Sequence, residues 1–149
     1  MSATAPIVVT PHAGEHARLR SALGLDPDTA RSPSSAAETA AALGGVVLLK
    51  GATTIVASPE GGECAIEAPT SWLATAGTGD VLAGILGAVT ASAAGRGASV
   101  SLAACAATAA WLHGQAAQAA SDAVGGGPIT ALDVAEHLPA VVGRVLTAP

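Results

Sequence analysis

Three short stretches of this sequence carry residue types at spacings that could do chemistry. The first is Leu73 to Leu86, LATAGTGDVLAGIL, where a glycine-threonine-glycine turn sets one carboxylate, Asp80, at the mouth of an apolar helix. A helix N-terminus exposes N–H groups without intrahelical partners and carries partial positive charge. With no Cβ at Gly77 or Gly79 the backbone can approach an anion closely, so the turn is a sensible cradle for a phosphate or an oxyanion. A plainer reading is open too: Asp80 complements the helix dipole and the glycines make a tight turn. Aspartate in such a place is a weak base, but phosphoryl transfer asks its base mainly to orient a hydroxyl. The spacing is not that of a dinucleotide fold, because Leu82 stands where a third glycine belongs, and there is no Gly-x-x-x-x-Gly-Lys-Ser/Thr loop.

Lys50 is the second candidate. It is the only lysine in the chain, and it ends the apolar run Val46 to Leu49 just before Gly51. Ligand sites in α/β sheets gather at strand C-terminal ends. A cation there, followed by the amides and hydroxyls of Gly51-Ala52-Thr53-Thr54, could hold a nucleotide's phosphates. An ordinary strand-end lysine reaching solvent fits as well. The third stretch, Thr10 to His16, TPHAGEH, contains a literal His-x-x-Glu-His, the inverted zinc-peptidase signature. In that pattern His12 and His16 ligate zinc and Glu15 serves as base. Pro11 and Gly14 make the segment a strand-to-helix corner, whereas the metal pattern needs both histidines on one helix face. The corner favours a different use, in which His12 at a strand end faces the same crevice as Lys50 and His16 is a surface residue. His113 and His137 read as helix residues without partners, and no metal ligands are assigned.

These residues need elements to hold them. PIVVT, Pro6 to Thr10, reads as a buried strand ending at Pro11. HAGEHARLRSAL then has helical spacing, with Leu19 and Leu23 four apart. GLDPDTARSPSS is a loop by composition, and SAAETAAALGG a helix stopped by a glycine pair. VVLLKG is a second buried strand, and TTIVASPEGGECAIEAP two short strands joined through Pro59 to Gly62. A helix from about Thr78 to Ala94 presents Leu82, Ile85, Leu86 and Val89 as its apolar stripe and Ala83, Gly84, Gly87, Ala88 and Ala91 as a small-residue face. A longer helix runs from about Val100 to Ser121. After the break at Gly125 to Pro128, one or two short helices reach the end. The alternation implies an α/β layered fold with antiparallel strands in its middle. So few strong strands beside so much helix leave an open edge, as in part of a larger sheet.

Composition bounds the rest. The chain has 149 residues, enough for one domain with a core, and half are hydrophobic although phenylalanine and tyrosine are absent. The core must be built from alanine, valine, leucine and isoleucine. A formal charge of −5 without a basic cluster argues against nucleic acid or an anionic membrane as partner. No uninterrupted, strongly apolar run of membrane-spanning length is evident, and MSATAPIVVT lacks the marks of an export signal. Met1 to Ala5 reads as a lead-in. Cys64 and Cys105 form no C-x-x-C pair and read as reduced thiols in a cytoplasmic protein.

Taken in order, VVTPHAGEHARL, VVLLKGATTIVASPEG and SWLATAGTGDVLAGIL, with LHGQAAQAA from Leu112, resemble the ADP-dependent or ATP-dependent NAD(P)H-hydrate dehydratases of the ribokinase-like superfamily. The likeness runs from about Pro6 to the end. It implies a ribokinase-like layered fold lacking the N-terminal part of its sheet, with residues 1–149 a single, partial domain. It implies an enzyme of nicotinamide-nucleotide repair, which dehydrates the 6S hydrate of NADH or NADPH and gives AMP and phosphate when ADP is the phosphoryl donor. By the same resemblance His12 contacts the hydrate, Lys50, Gly51, Ala52, Thr53 and Thr54 line the adenine-nucleotide site, Gly79 touches the phosphates, and Asp80 meets the substrate hydroxyl as orienter or base. Mg2+ accompanies the nucleotide, bridging phosphates and water. Partners implied are the hydrate, the nucleotide, and further copies of the chain or a chain supplying the missing half. HAGE and ATAGTGD stand where relatives often have HPGE and a second glycine. Two other readings stay open: a ribokinase-like kinase of a small alcohol or vitamin precursor, which shares the Gly-Thr-Gly-Asp turn, and a non-catalytic or truncated half-domain.

Overall fold

A four-stranded sheet carries Lys50 at the end of one strand and brings it beside His12, just beyond the end of the parallel strand next to it. The computed structural model describes residues 6–29, 32–97 and 100–147, so Met1 to Ala5, Ala30, Arg31, Ala98, Ser99, Ala148 and Pro149 lie outside the described residues. The chain divides into two compact units, Met1–Ile66 with Val100–Ala107 and Glu67–Ser99 with Thr108–Pro149.

In the first unit β1 (Val8–Val9) lies parallel to β2 (Val46–Leu49), which lies antiparallel to β3 (Thr53–Ala57); β4 (Glu63–Glu67) follows at the far edge. All four residues of β2 are buried, as the unbroken apolar run VVLL requires of a central strand. Helix α2 (Pro33–Leu43) sets Ala36 and Ala40 against Val47, Leu49, Ile55 and Ala57, and the small alanines allow close approach. Ser32 caps its start and Gly44, left-handed at φ 68°, ends it. The β3–β4 turn uses Gly61 and Gly62 at positive φ, with the Ser58 hydroxyl donating to the Gly61 carbonyl at 2.6 Å.

The expectation of a buried PIVVT strand needs correction. Only Val8 and Val9 pair, both half-buried, and Ile7 is exposed. Among the described residues β1 is an edge strand, paired on one side only. β4 is also largely exposed, and its Glu63 and Glu67 put charge on that edge.

Helix α1 (Ala13–Ala22) is helical as expected but buries a different face. His16 and Arg20, not Leu19 and Leu23, are its buried residues. Arg20 is 1% exposed and donates five hydrogen bonds: to the carbonyls of Asp26 and Ser35, the hydroxyls of Thr29 and Thr39, and the carboxylate of Glu38. A buried guanidinium is tolerated only when its donors are met in this way. His16, expected on the surface, is fully buried with Nε2 2.8 Å from the Thr39 hydroxyl.

In the second unit, α3 (Thr78–Gly95) buries Leu82, Ile85 and Leu86, with Val89 half-buried, while its small-residue face from Ala83 to Ala91 is exposed. Helix α4 (Leu102–Ala123) starts in the first unit, and its part in the second, from Thr108 on, buries Ala109, Ala116, Ala117 and Ala120. The closing segment is one helix, α5 (Ala131–Thr147), rather than two short ones. It runs through Pro139, which has no N–H to give the Ala135 carbonyl; both residues are exposed, so that carbonyl lies open to solvent rather than in a core. Thr130 and Asp133 cap its start reciprocally: the Asp133 amide donates to the Thr130 hydroxyl, and Asp133 Oδ2 accepts from the Thr130 amide at 2.7 Å. Helix α5 packs on α3, and Val134 and Val141 are its buried residues. Among the described residues α3 alone is long and apolar enough, by length and composition, to cross a membrane, although the sequence suggested none. Alanine supplies much of that hydropathy, and its large apolar side chains turn inward.

Candidate active site

The parallel register that pairs Val8 with Val46 and Val9 with Val47 continues past Pro11 to an isolated bridge between His12 and Lys50. The Lys50 amide donates to the Pro11 carbonyl at 2.8 Å. His12 and Lys50 therefore lie side by side at the C-terminal ends of adjacent parallel strands, as expected of ligand sites in such sheets.

His12 is also the N-cap of α1. Its Nδ1 accepts from the amides of Gly14 and Glu15 at 3.0 and 3.2 Å, while the Glu15 carboxylate accepts from the His12 amide at 2.8 Å. Backbone amides can only donate, so Nδ1 carries the lone pair and the neutral ring bears its proton on Nε2. Gly14 makes room for the ring, since a Cβ there would stand 3.2 Å from His12 Cε1. This accounts for the glycine in HAGE. Glu15 Oε2 is also 3.7 Å from Lys50 Nζ, and Oε1 is 3.5 Å from His12 Nε2. The hydrogen bond from the His12 amide holds the Glu15 carboxyl below its ordinary range; burial opposes this, and the Lys50 charge assists it.

Beyond Lys50 the chain turns into β3. Gly51 fits this turn because a side chain would meet the Thr53 carbonyl at 3.0 Å. Gly51, Ala52 and Thr53 are exposed and Thr54 half-buried, so their backbone and hydroxyls are accessible beside the lysine.

The second cluster is the turn before α3. Gly77 is its N-cap in the left-handed region, φ 86°, and a Cβ there would come within 3.1 Å of Ala131 Cβ. Both conformation and space disfavour a side chain. Thr78 is buried, and its hydroxyl reaches the carbonyls of Leu73 and Thr75, each at 2.8 Å, donating to one at a time. The amides of Asp80 and Val81 bond back to the Gly77 carbonyl at 3.1 and 3.3 Å. Gly79's amide takes no part in that set. Asp80 is exposed, and among the described residues its carboxylate makes no hydrogen bond or ion pair. Trp72 fastens the preceding segment by donating its indole N–H to the Gly126 carbonyl at 3.0 Å.

The other histidines depart from expectation. His137 Nδ1 lies 2.8 Å from the Asp133 carbonyl, and His113 is buried and has an interaction of its own, so neither lacks a partner. Composition alone did not reveal Arg20, Gly14 or Thr78. Glu15 was visible only as part of the zinc pattern, although Glu three residues after a polar cap is a capping-box signal. At the opposite end of β2 lies a cavity of about 320 Å³ bounded by Ile7, Gly45, Val46, Pro59 and Leu102, away from these residues.

The sequence model of the family described as NAD(P)H-hydrate dehydratase matches residues 1–140. The bifunctional NAD(P)H-hydrate repair enzyme Nnr of Mycobacterium tuberculosis (strain CDC 1551 / Oshkosh) is 50% identical over 88 residues, covering 59% of this chain and 18% of that protein. The ADP-dependent (S)-NAD(P)H-hydrate dehydratase of Neisseria meningitidis serogroup B is 41% identical over 121 residues, 80% of this chain and 38% of that one. Among solved structures, the ADP/ATP-dependent NAD(P)H-hydrate dehydratase of Bacillus subtilis, co-crystallized with ATP/Mg2+, superposes with a TM-score of 0.76 at 28% identity, over 93% of this chain and 48% of that chain. The chain thus spans well under half the length of these curated relatives and about half of the solved one. With its mixed, open-edged sheet of ribokinase-like type and a family match across nearly its whole length, this chain belongs to the NAD(P)H-hydrate dehydratase family.

Proposed function

We propose that this chain takes part in nicotinamide-nucleotide repair as an ADP-dependent or ATP-dependent dehydratase of the 6S hydrate of NADH or NADPH. The observation that carries the reading is the pairing of His12 with Lys50 at the ends of two parallel strands, inside the region that matches the family. In this reading His12 presents its Nε2–H to the hydrate. Lys50, with Gly51, Ala52, Thr53 and Thr54, receives the adenine nucleotide, and Gly79 offers its amide to the phosphates. Asp80 aligns the hydrate's hydroxyl for attack on phosphorus and takes its proton as the bond forms. Transfer from ADP leaves AMP, and loss of the new phosphoester as phosphate restores the ring double bond. The exposed carboxylate of Asp80, free of protein partners among the described residues, fits that task. It also fits water-mediated contact with Mg2+ carried on the nucleotide. Such an ion neutralises phosphate charge when bound.

We further propose that residues 1–149 form part of one ribokinase-like domain in a cytoplasmic enzyme, completed against the open edge of β1 by further sheet from another chain or copy. The partial coverage of the longer relatives supports this. Nucleic acid and membrane are not among the proposed partners. The test is to incubate the chain with the hydrate, ADP and Mg2+ and follow NADH absorbance. Nucleotide-dependent return of absorbance is expected. No return, where the Neisseria enzyme succeeds, counts against catalysis by this chain alone.

A further inference from the structure

Glu15 has no part in the reaction as described above, yet its carboxylate joins the two residues that do. Oε2 accepts from the His12 amide at 2.8 Å and stands 3.7 Å from Lys50 Nζ, and Oε1 stands 3.5 Å from His12 Nε2. We infer that Glu15 is a positioning residue, which ties the Lys50 ammonium to the start of α1 and aims it across the strand ends toward the nucleotide. Lysine is a flexible point charge with three N–H donors. One carboxylate contact fixes its direction and leaves the other donors for phosphate oxygens. The anchor is itself fixed, because the Glu15 carboxylate is held by the His12 amide, whose residue is bridged to Lys50 through the sheet. The side chain of Lys50 is 27% exposed and that of Glu15 43%, so a ligand can reach the pair without unfolding anything.

The inference rests on the nucleotide-site reading, and Glu15→Gln separates the two. Glutamine can still accept from the His12 amide, so the cap and the fold persist, but the charge facing Lys50 is gone. Because Lys50 is the only lysine, reductive methylation with labelled formaldehyde gives one lysine resonance that keeps its charge. That resonance is expected to shift in Glu15→Gln without nucleotide, and in the unsubstituted chain when ADP and Mg2+ are added. By calorimetry Glu15→Gln should weaken ADP binding about fivefold, the factor supplied by a good exposed ion pair. Lys50→Met should weaken it at least as much, and the double variant no further than Lys50→Met alone. Unchanged or tighter binding in Glu15→Gln, or additive losses in the double variant, would overturn the positioning role while leaving the nucleotide site standing. Tighter binding would mean that Glu15 merely competes with phosphate for the lysine. If the unsubstituted chain neither binds ADP nor shows a nucleotide-induced shift, the site reading itself fails and the inference falls with it.

Discussion

At His12 an imidazole fills the place that serine, threonine, asparagine or aspartate usually takes at a helix start. Two amides point at Nδ1, so the ring can meet a ligand only through Nε2–H unless it gives up the cap. Labelled-imidazole NMR of the neutral ring should therefore show an unprotonated Nδ1 and a protonated Nε2; the opposite tautomer would contradict this geometry. Two carboxyls, Glu15 and Asp133, are held below their ordinary range. The cause for Glu15 is chiefly the His12 amide, and for Asp133 the amide and then the hydroxyl of Thr130. A depressed folded-state value means that each contribution to stability is complete above the unfolded value and is lost as pH falls through the folded one. Urea midpoints measured at falling pH should decline across that acid window. Glu15→Gln and Asp133→Asn should each flatten the decline. At this scale much was legible: Lys50 stood out by being the only lysine, and His12 by ending a strand. Gly14 was not legible, because its value lies in the space left for a ring folded back from two residues away.

Among the elements, β2, β3 and α3 follow their apolar patterns closely, since each pattern reports burial directly, whereas β4 forms where expected but stays largely exposed. Helix α1 does not follow its pattern. Hydrophobic spacing chose Leu19 and Leu23, but the fold buries His16 and Arg20, because Thr29, Ser35, Glu38, Thr39 and the Asp26 carbonyl together satisfy a guanidinium and an imidazole. Those partners come from a loop and a second helix, so nothing local in α1 announces them. Arg20→Met should cost about 3 kcal/mol by leaving carbonyls and hydroxyls of the corner without donors, read as a lowered urea midpoint with an unchanged m-value. A loss under 1 kcal/mol would mean that water replaces the arginine at little cost. Because α1 begins at His12, the same variant should also loosen that cap, visible as faster exchange of the Gly14 and Glu15 amides.

For the molecule as a whole, the α/β layering and the open sheet edge were readable from the small number of apolar runs. The shortness of β1 was not, since its pairing on one side only is a property of strand order rather than of composition. Helix α5 likewise concealed its continuity behind Pro139, a residue harmless there because its side of the helix is wet. The proposed reaction has its distinctive mark in its products: a dehydratase using ADP releases AMP and regenerates NADH together, whereas a kinase leaves a stable phosphoester. The decisive measurement is therefore the yield of AMP against NADH when the chain acts on the hydrate with ADP and Mg2+, run beside Asp80→Asn. Equimolar AMP and NADH, falling roughly a hundredfold or more in rate with Asp80→Asn while its melting temperature holds, is the predicted result. AMP formed without NADH, or full activity in Asp80→Asn, would contradict it.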